Sequence, residues 1–473
     1  MSIQNQTDLK QFKNVYFLGI GGIGMSALAR WFIQNSFVVL GYDKTPGTIT
    51  AGLQEEGAAI HFKDSLSAIP QFIKEEKEKT LVVLTPAIPK DHAEWEFFRE
   101  SGYEIMKRSQ VLGLISQGCF TVAVAGTHGK TTTSSMIAYL LKEAGLGCTA
   151  FLGGISANYG TNFILSDTSP EETILVAEAD EFDRSFLTLH PNVAVVTSVD
   201  PDHLDIYGDS ETMKMAYADF VAQIKKEGRL FLNEKVKLLY ETRTGVEVKT
   251  YGSSEGQMVA ENIQAAGFGF EFELKENLSS YGRFRLNMPG FHNVDNAVAA
   301  LMVANSLGVS FDTLRQILPG FQGVKRRFEK AYEDETVVLI DDYAHHPSEI
   351  DATIRSLRAI YPEKKLGVVF QPHLFSRTRD FALEFSHALN QADRLWLLDI
   401  YPARELPMPG VSSAIILDRV DMSEKEIISG EKLIDSVLSS DCQVIAMLGA
   451  GDIDRLVLPM RDAFVSRLKS FVA

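Results

Sequence analysis

The 473 residues, 45% apolar and 23% charged, exceed what one core organises and suit about three soluble domains of roughly 150 residues each. A formal net charge of -16 offers no long-range attraction to a nucleic-acid backbone, so general nucleic-acid binding is disfavoured. Three scattered cysteines, Cys119, Cys148 and Cys442, exclude a disulfide framework, and a polar N-terminus with no run of about 18 apolar residues leads us to expect a cytoplasmic chain without signal peptide or membrane span.

Three times along the chain a short apolar run enters a Gly-rich turn and then a segment of helical period. That is the grammar of parallel α/β layers. In the first, Val15 to Leu18 read as a buried strand, and Met25, Leu28, Ala29 and Phe32 follow at helical spacing. Between them Gly19, Gly21, Gly22 and Gly24 satisfy G-x-G-x-x-G, with Asp43 placed like the ribose-binding acid of a dinucleotide fold. Further strands are predicted at Phe37 to Leu40 and Leu81 to Leu84, and KEEKEK at 74–79 as a solvated helix face. Backbone amides do not distinguish NAD from a UDP-sugar, so an oxidoreductase stays open on this loop alone.

The second begins at Phe120 with TVAVAGTHGKTTTSSMIAYLLKEAG. Gly126, Thr127, His128, Gly129, Lys130, Thr131 and Thr132 lie between a buried strand and an amphipathic helix, which Gly145 ends. Small residues let amides close around phosphate oxygens; Lys130 reaches the β- and γ-phosphates of ATP and Thr131 offers a hydroxyl to Mg²⁺. Val124 stands where the longer phosphate-loop pattern has its first Gly. A strand at Ile174 to Ala177 delivers EADEFD. Glu178 is the best-placed metal ligand, and Asp180, Glu181 and Asp183 are either further ligands or solvated turn residues. The strand Val193 to Thr197 leads to His203, a metal or phosphate neighbour. A dehydrogenase has no use for Lys130, Thr131 and Glu178, so two phosphorylated ligands are expected, one of them ATP. Short β-like segments at about 228 to 290 precede a helix, VDNAVAALMVANSLG, and the third α/β segment starts near Phe328.

GIGGIGMS, GTHGKTTT, EADEFD, MPGFHNVDNAVAA, GVKRRFE, DDYAHHPSEI, QPHLFSRTRD, DIYPARE and LGAGDID together resemble the Mur ligases, in family order over nearly the whole chain. The resemblance implies three α/β domains: a Rossmann-like UDP-sugar domain (1–117), a central ATPase domain (118–325) and a C-terminal Rossmann-like domain (326–473). It implies an ATP-dependent amide ligation of L-alanine to UDP-N-acetylmuramate through an acyl phosphate, in peptidoglycan synthesis, with ATP and Mg²⁺ and with small molecules as substrates; no protein partner is inferable. The roles implied are ATP binding for Lys130 and Thr131, metal binding for Glu178 and His203, and adenine contact for Asn293 and Asn296. Arg327 would contact phosphates, Asp342 the ribose, and His345 and Arg377 the amino acid and the muramyl carboxylate. A ligase adding a whole tripeptide to the same sugar, and a non-catalytic nucleotide switch, are the alternatives. Leu374 and Ser198 depart from the family, Leu374 standing where some members carry Arg and Ser198 where Asn is common.

Overall fold

The computed structural model describes residues 8–169, 172–200, 204–403 and 405–472 and divides into two compact units. The first takes residues up to 259 with 275–281 and 296–317; the second takes 260–274, 282–295 and 318 onward.

The first unit carries two parallel layers. Its N-terminal sheet is built from β1 (Asn14–Leu18), β2 (Val38–Tyr42), β3 (Ala59–His61), β4 (Thr80–Leu84) and β5 (Glu104–Lys107), all parallel, in the order β3-β2-β1-β4-β5. The order reverses at β1, and Leu18 lies beside both Tyr42 and Leu84. The turns after β1, β2 and β4 therefore leave one edge together, at the switch point where open α/β sheets take ligands. β1 is buried at every position because helices cover both faces of a parallel layer.

The central strands are β6 (Phe120–Ala125), β7 (Cys148–Phe151), β8 (Phe163–Ile164), β9 (Ile174–Ala179), β10 (Val193–Val196), β11 (Arg229–Asn233) and β12 (Glu247–Gly252). They run β12-β11-β10-β6-β9-β7-β8, with only β8 antiparallel to its neighbour. Ala125 is in register with Ala179 and Val196, so three strand ends converge on one edge. Helix Lys130–Glu143 is buried from Thr131 to Leu141 and stops where Gly145 takes φ +80°. Asn162 joins the two layers. Its Nδ2 donates to Ile23 O at 2.5 Å and to Ser26 Oγ at 3.0 Å, and its Oδ1 accepts from Arg30 Nη1 at 2.5 Å.

A meander follows: β13 (Met258–Ala265), β14 (Phe270–Glu276) and β15 (Ser279–Leu286), with Phe270, Phe272 and Leu274 buried at the strand period of two. The second unit's principal sheet holds β16 (Glu329–Glu333), β17 (Val338–Asp342), β18 (Leu366–Phe370), β19 (Arg394–Leu397), β20 (Lys425–Ile427) and β21 (Val444–Leu448), in the order β16-β17-β21-β18-β19-β20. Only β16 is antiparallel. An apolar core packs on each face of it.

The expected α/β class is what the structure shows. KEEKEK differs from expectation: the helix stops at Glu75, and Lys77–Lys79 form a separate 3-10 turn. Glu76 is drawn inward as the acceptor for Asn14 Nδ2, which breaks the helical face.

Candidate active site

The phosphate turn is fastened on the side facing its own sheet. Thr127 Oγ1 bonds Ser198 Oγ at 2.9 Å and accepts from Asp200 N at 3.0 Å, while His128 N donates to Ser198 Oγ at 2.8 Å. Ser198, which departs from the family pattern, thus holds two consecutive residues of the turn. Gly126 takes φ +140°, and a Cβ there would stand 2.0 Å from Thr197 Oγ1; Gly129 takes φ +81°, and a Cβ there would stand 2.6 Å from Asn296 Oδ1. Neither position admits a side chain. The backbone closes into a cradle capped by the N-terminus of helix Lys130–Glu143, a geometry that suits phosphate.

Lys130 Nζ turns back into this cradle. It donates to Gly126 O at 2.5 Å and Thr127 O at 3.4 Å, and lies 2.8 Å from Glu181 Oε2. Burial alone would lower the ammonium, but Glu181, Asp180 and Glu178 outweigh it and hold it above the ordinary lysine range. Among the described acidic side chains here, Glu181 pairs with Lys130, and it is only 1% exposed. The sequence left it open as a solvated turn residue. A 3-10 turn, Phe182–Thr188, follows directly, and Tyr207 Oη donates to Glu181 O, so the backbone there is carried inward.

Glu178 is the penultimate residue of β9, opposite Val124 of β6. Its carboxylate fills the space beside Gly153, where a Cβ would come within 1.9 Å of Oε2. His203 lies outside the described residues. Asn296, expected near the adenine, lies against Gly129 of the turn itself.

The first glycine turn opens on a cleft of about 810 Å³ lined by Gly19, Gly21, Gly22, Asp43, Thr45 and His92, among others. Asp43 is committed within the protein: its Oδ2 accepts from Gly21 N at 2.7 Å and its Oδ1 from Thr45 N at 3.1 Å.

In the second unit, β17 delivers Asp341 and Asp342 and then the turn carrying His345. Asp342 accepts from Thr353 Oγ1 at 2.8 Å and Ala344 N at 3.2 Å, and burial pushes its carboxyl up to about 6. Burial pushes Asp341 up to about 7, with Arg326 opposing. His345 Nδ1 lies 3.0 Å from Tyr343 O. Burial lowers this imidazole below the usual histidine range; Glu349 opposes, and the charges of Arg377 and Arg327 add to the lowering. The structure therefore groups His345, Arg377, Arg327 and Asp342 in one electrostatic neighbourhood. Arg327 also stacks over Tyr343, with Cζ 4.9 Å from the ring centroid. Its neighbour Arg326 donates to Gly449 O at 2.9 Å and pairs with Asp454 at 3.4 Å. Asn293 Nδ2 is engaged by Pro289 O at 2.6 Å. Leu374 takes φ +70° ahead of the short helix Phe375–Asp380, which carries Arg377.

Residues 14–118 match the Mur ligase family catalytic-domain model, residues 124–304 the Mur ligase middle-domain model, and residues 326–451 the Mur ligase glutamate ligase domain model. The chain belongs to the Mur ligase family. This Mur ligase is 45% identical over 455 residues to the UDP-N-acetylmuramate–L-alanine ligase of Cytophaga hutchinsonii, covering 96% of this chain and 97% of the relative. It is 46% identical over 456 residues to the enzyme of that name from Flavobacterium psychrophilum, covering 96% and 98%. Among solved structures, the UDP-N-acetylmuramate–alanine ligase of Thermotoga maritima superposes with a TM-score of 0.81 at 28% identity, over 96% of this chain and 99% of that one. No helix among the described residues is long and apolar enough to cross a membrane.

Proposed function

We propose that this Mur ligase joins L-alanine to UDP-N-acetylmuramate at the expense of ATP, a cytoplasmic step of peptidoglycan synthesis. The observation that carries the reading is the near full-length likeness to relatives of that name, together with two separate glycine turns, each at the end of a parallel strand. The division into a UDP-sugar domain (1–117), an ATP domain (118–325) and an amino-acid domain (326–473) is part of the same proposal.

ATP, when bound, supplies the phosphoryl group that turns the lactyl carboxylate into an acyl phosphate. The Gly126 to Thr132 turn fits its phosphates because glycine at 126 and 129 lets the backbone close tightly against Thr197 and Asn296 at the start of helix Lys130–Glu143. Thr131 and Glu178 are the hard oxygen donors that suit Mg²⁺, and His203 is the further candidate ligand in this reading. Lys130 holds positive charge at the cradle and neutralises the phosphates. Asn293, Asn296, Arg327 and Asp342 would serve the nucleotide, and Gly19 to Gly24 with Asp43 the UDP-sugar. Arg377 suits a carboxylate through its planar fork. His345 is neutral at pH 7. With Nδ1 donating to Tyr343 O, its Nε2 carries the lone pair and can accept the proton the attacking amine must lose.

The test is phosphate release with Mg²⁺-ATP and UDP-N-acetylmuramate, supplying either L-alanine or the tripeptide, with the product weighed by mass spectrometry. Release requiring both sugar and L-alanine, with the mass of the alanyl conjugate, is expected. A product with the tripeptide alone would move the chain to the recycling activity, and no product with either would overturn the ligase reading.

A further inference from the structure

The first glycine turn has fewer amides for a diphosphate than its sequence suggests. Gly21 N donates to Asp43 and Gly22 N to Gly19 O at 3.3 Å. The next amides, of Ile23, Gly24 and Met25, open helix Ile23–Gln34 and have no acceptor within the helix. The cleft itself is acidic, lined by Asp43, Asp64 and Asp91 against Lys44. A doubly charged anion held there needs a cation from outside that lining.

Arg108 supplies it. A Cβ on Gly24 would stand 2.7 Å from Arg108 Nη1 and 2.9 Å from its Cδ, so only glycine lets the guanidinium lie over the second residue of the helix. The other arm of the fork, Nη2, donates to Asp180 Oδ2 at 3.2 Å. Asp180 is itself fixed, its Oδ1 accepting from Phe182 N at 3.1 Å. The pair is part-buried, and a planar fork leaves Nη1 beside Gly24 while Nη2 is engaged.

We propose that Arg108 binds the diphosphate of the UDP-sugar over Gly24 and that Asp180 is the positioning residue that holds it there. The proposal rests on the ligase reading and adds two residues to it. One acidic turn then serves both anionic substrates: Asp180 holds Arg108 for the UDP-sugar, and Glu181, next in sequence, holds Lys130 for ATP.

Titration calorimetry of UDP-N-acetylmuramate and UDP, with uridine measured by displacement, tests this on the wild-type chain, Arg108→Ala, Arg108→Lys and Asp180→Asn. Losing a charge-assisted contact should weaken both diphosphates about 10- to 100-fold in Arg108→Ala. Uridine should bind all four proteins alike, Arg108→Lys should recover part of the loss, and Asp180→Asn should weaken UDP but not uridine. Wild-type affinity for UDP in Arg108→Ala, or equal losses for UDP and uridine, overturns the proposal while leaving the ligase reading intact. If Arg108→Ala does not fold, unchanged UDP binding by both other variants overturns it. Wild-type protein that binds neither UDP-N-acetylmuramate nor UDP overturns both.

Discussion

Lys130 Nζ stands 2.8 Å from Glu181 Oε2, with the lysine side chain 15% and the glutamate 1% exposed. Removing the lysine leaves a buried carboxylate without its cation, which costs about 3–5 kcal/mol. Lys130→Ala should therefore lower both melting temperature and turnover, the latter about 10²-fold or more. Lys130→Ala combined with Glu181→Gln should recover the melting temperature but not the turnover. Scanning calorimetry beside phosphate-release kinetics separates the two effects. Recovery of turnover in the double variant would remove Lys130 from the chemistry.

Gly129→Ala meets two obstacles at once, a φ of +81° and an Asn296 Oδ1 standing 2.6 Å from the new Cβ. We expect kcat/KM for ATP to fall about 5- to 150-fold, from strain of about 1–3 kcal/mol at the turn. Gly129→Ala with Asn296→Ala should recover little, because the backbone strain remains. Full recovery in that double variant would show that crowding alone was responsible.

His345 is lowered first by burial and then by the charges of Arg377 and Arg327, against Glu349. Its protonation is therefore displaced to lower pH than that of an ordinary histidine. The acid limb of kcat/KM for L-alanine should lie under pH 6.5. Arg377→Gln removes a cation, which raises the imidazole, so the limb should move to higher pH even as the rate falls. A limb that stays put would show that His345 does not set it.

Asp341 has a folded pKa of about 7 against an ordinary 3.8. Between those values the folded chain holds more proton than the unfolded chain, so stability falls as pH rises through this window. At pH 8 the full cost of the buried charge is present, on the order of 2–4 kcal/mol. Asp341→Asn should raise the melting temperature at pH 8 and leave it nearly unchanged at pH 4. A uniform loss at both pH values would mean that the contact with Arg326 outweighs desolvation.

Both glycine turns, the strands beside them and the end of helix Lys130–Glu143 are legible in the sequence because they obey local rules: apolar runs of strand length, glycine where φ is positive, a 3.6-residue period after the turn. β3 and β20, three residues each and only half-buried, leave no such signal. Glu181 was obscured because EADEFD offers four acids in six positions, and only the inward path of the following 3-10 turn selects the one that meets Lys130. Arg326 meets Gly449 O, 123 residues away, only because β21 delivers it there. Arg108 and Asp180 are 72 residues apart, and nothing local announces that pairing.

Glu178 occupies the room left by the side chain that Gly153 lacks. The acidic stretch is therefore not portable as a peptide. Grafting EADEFD onto another parallel sheet would carry the carboxylates but not the hollow on the adjoining strand's exit, and the glutamate would be turned away from the phosphate turn. Across a set of homologous sequences, positions 153 and 178 should change together or not at all, a covariation that a search confined to the acidic motif would never look for.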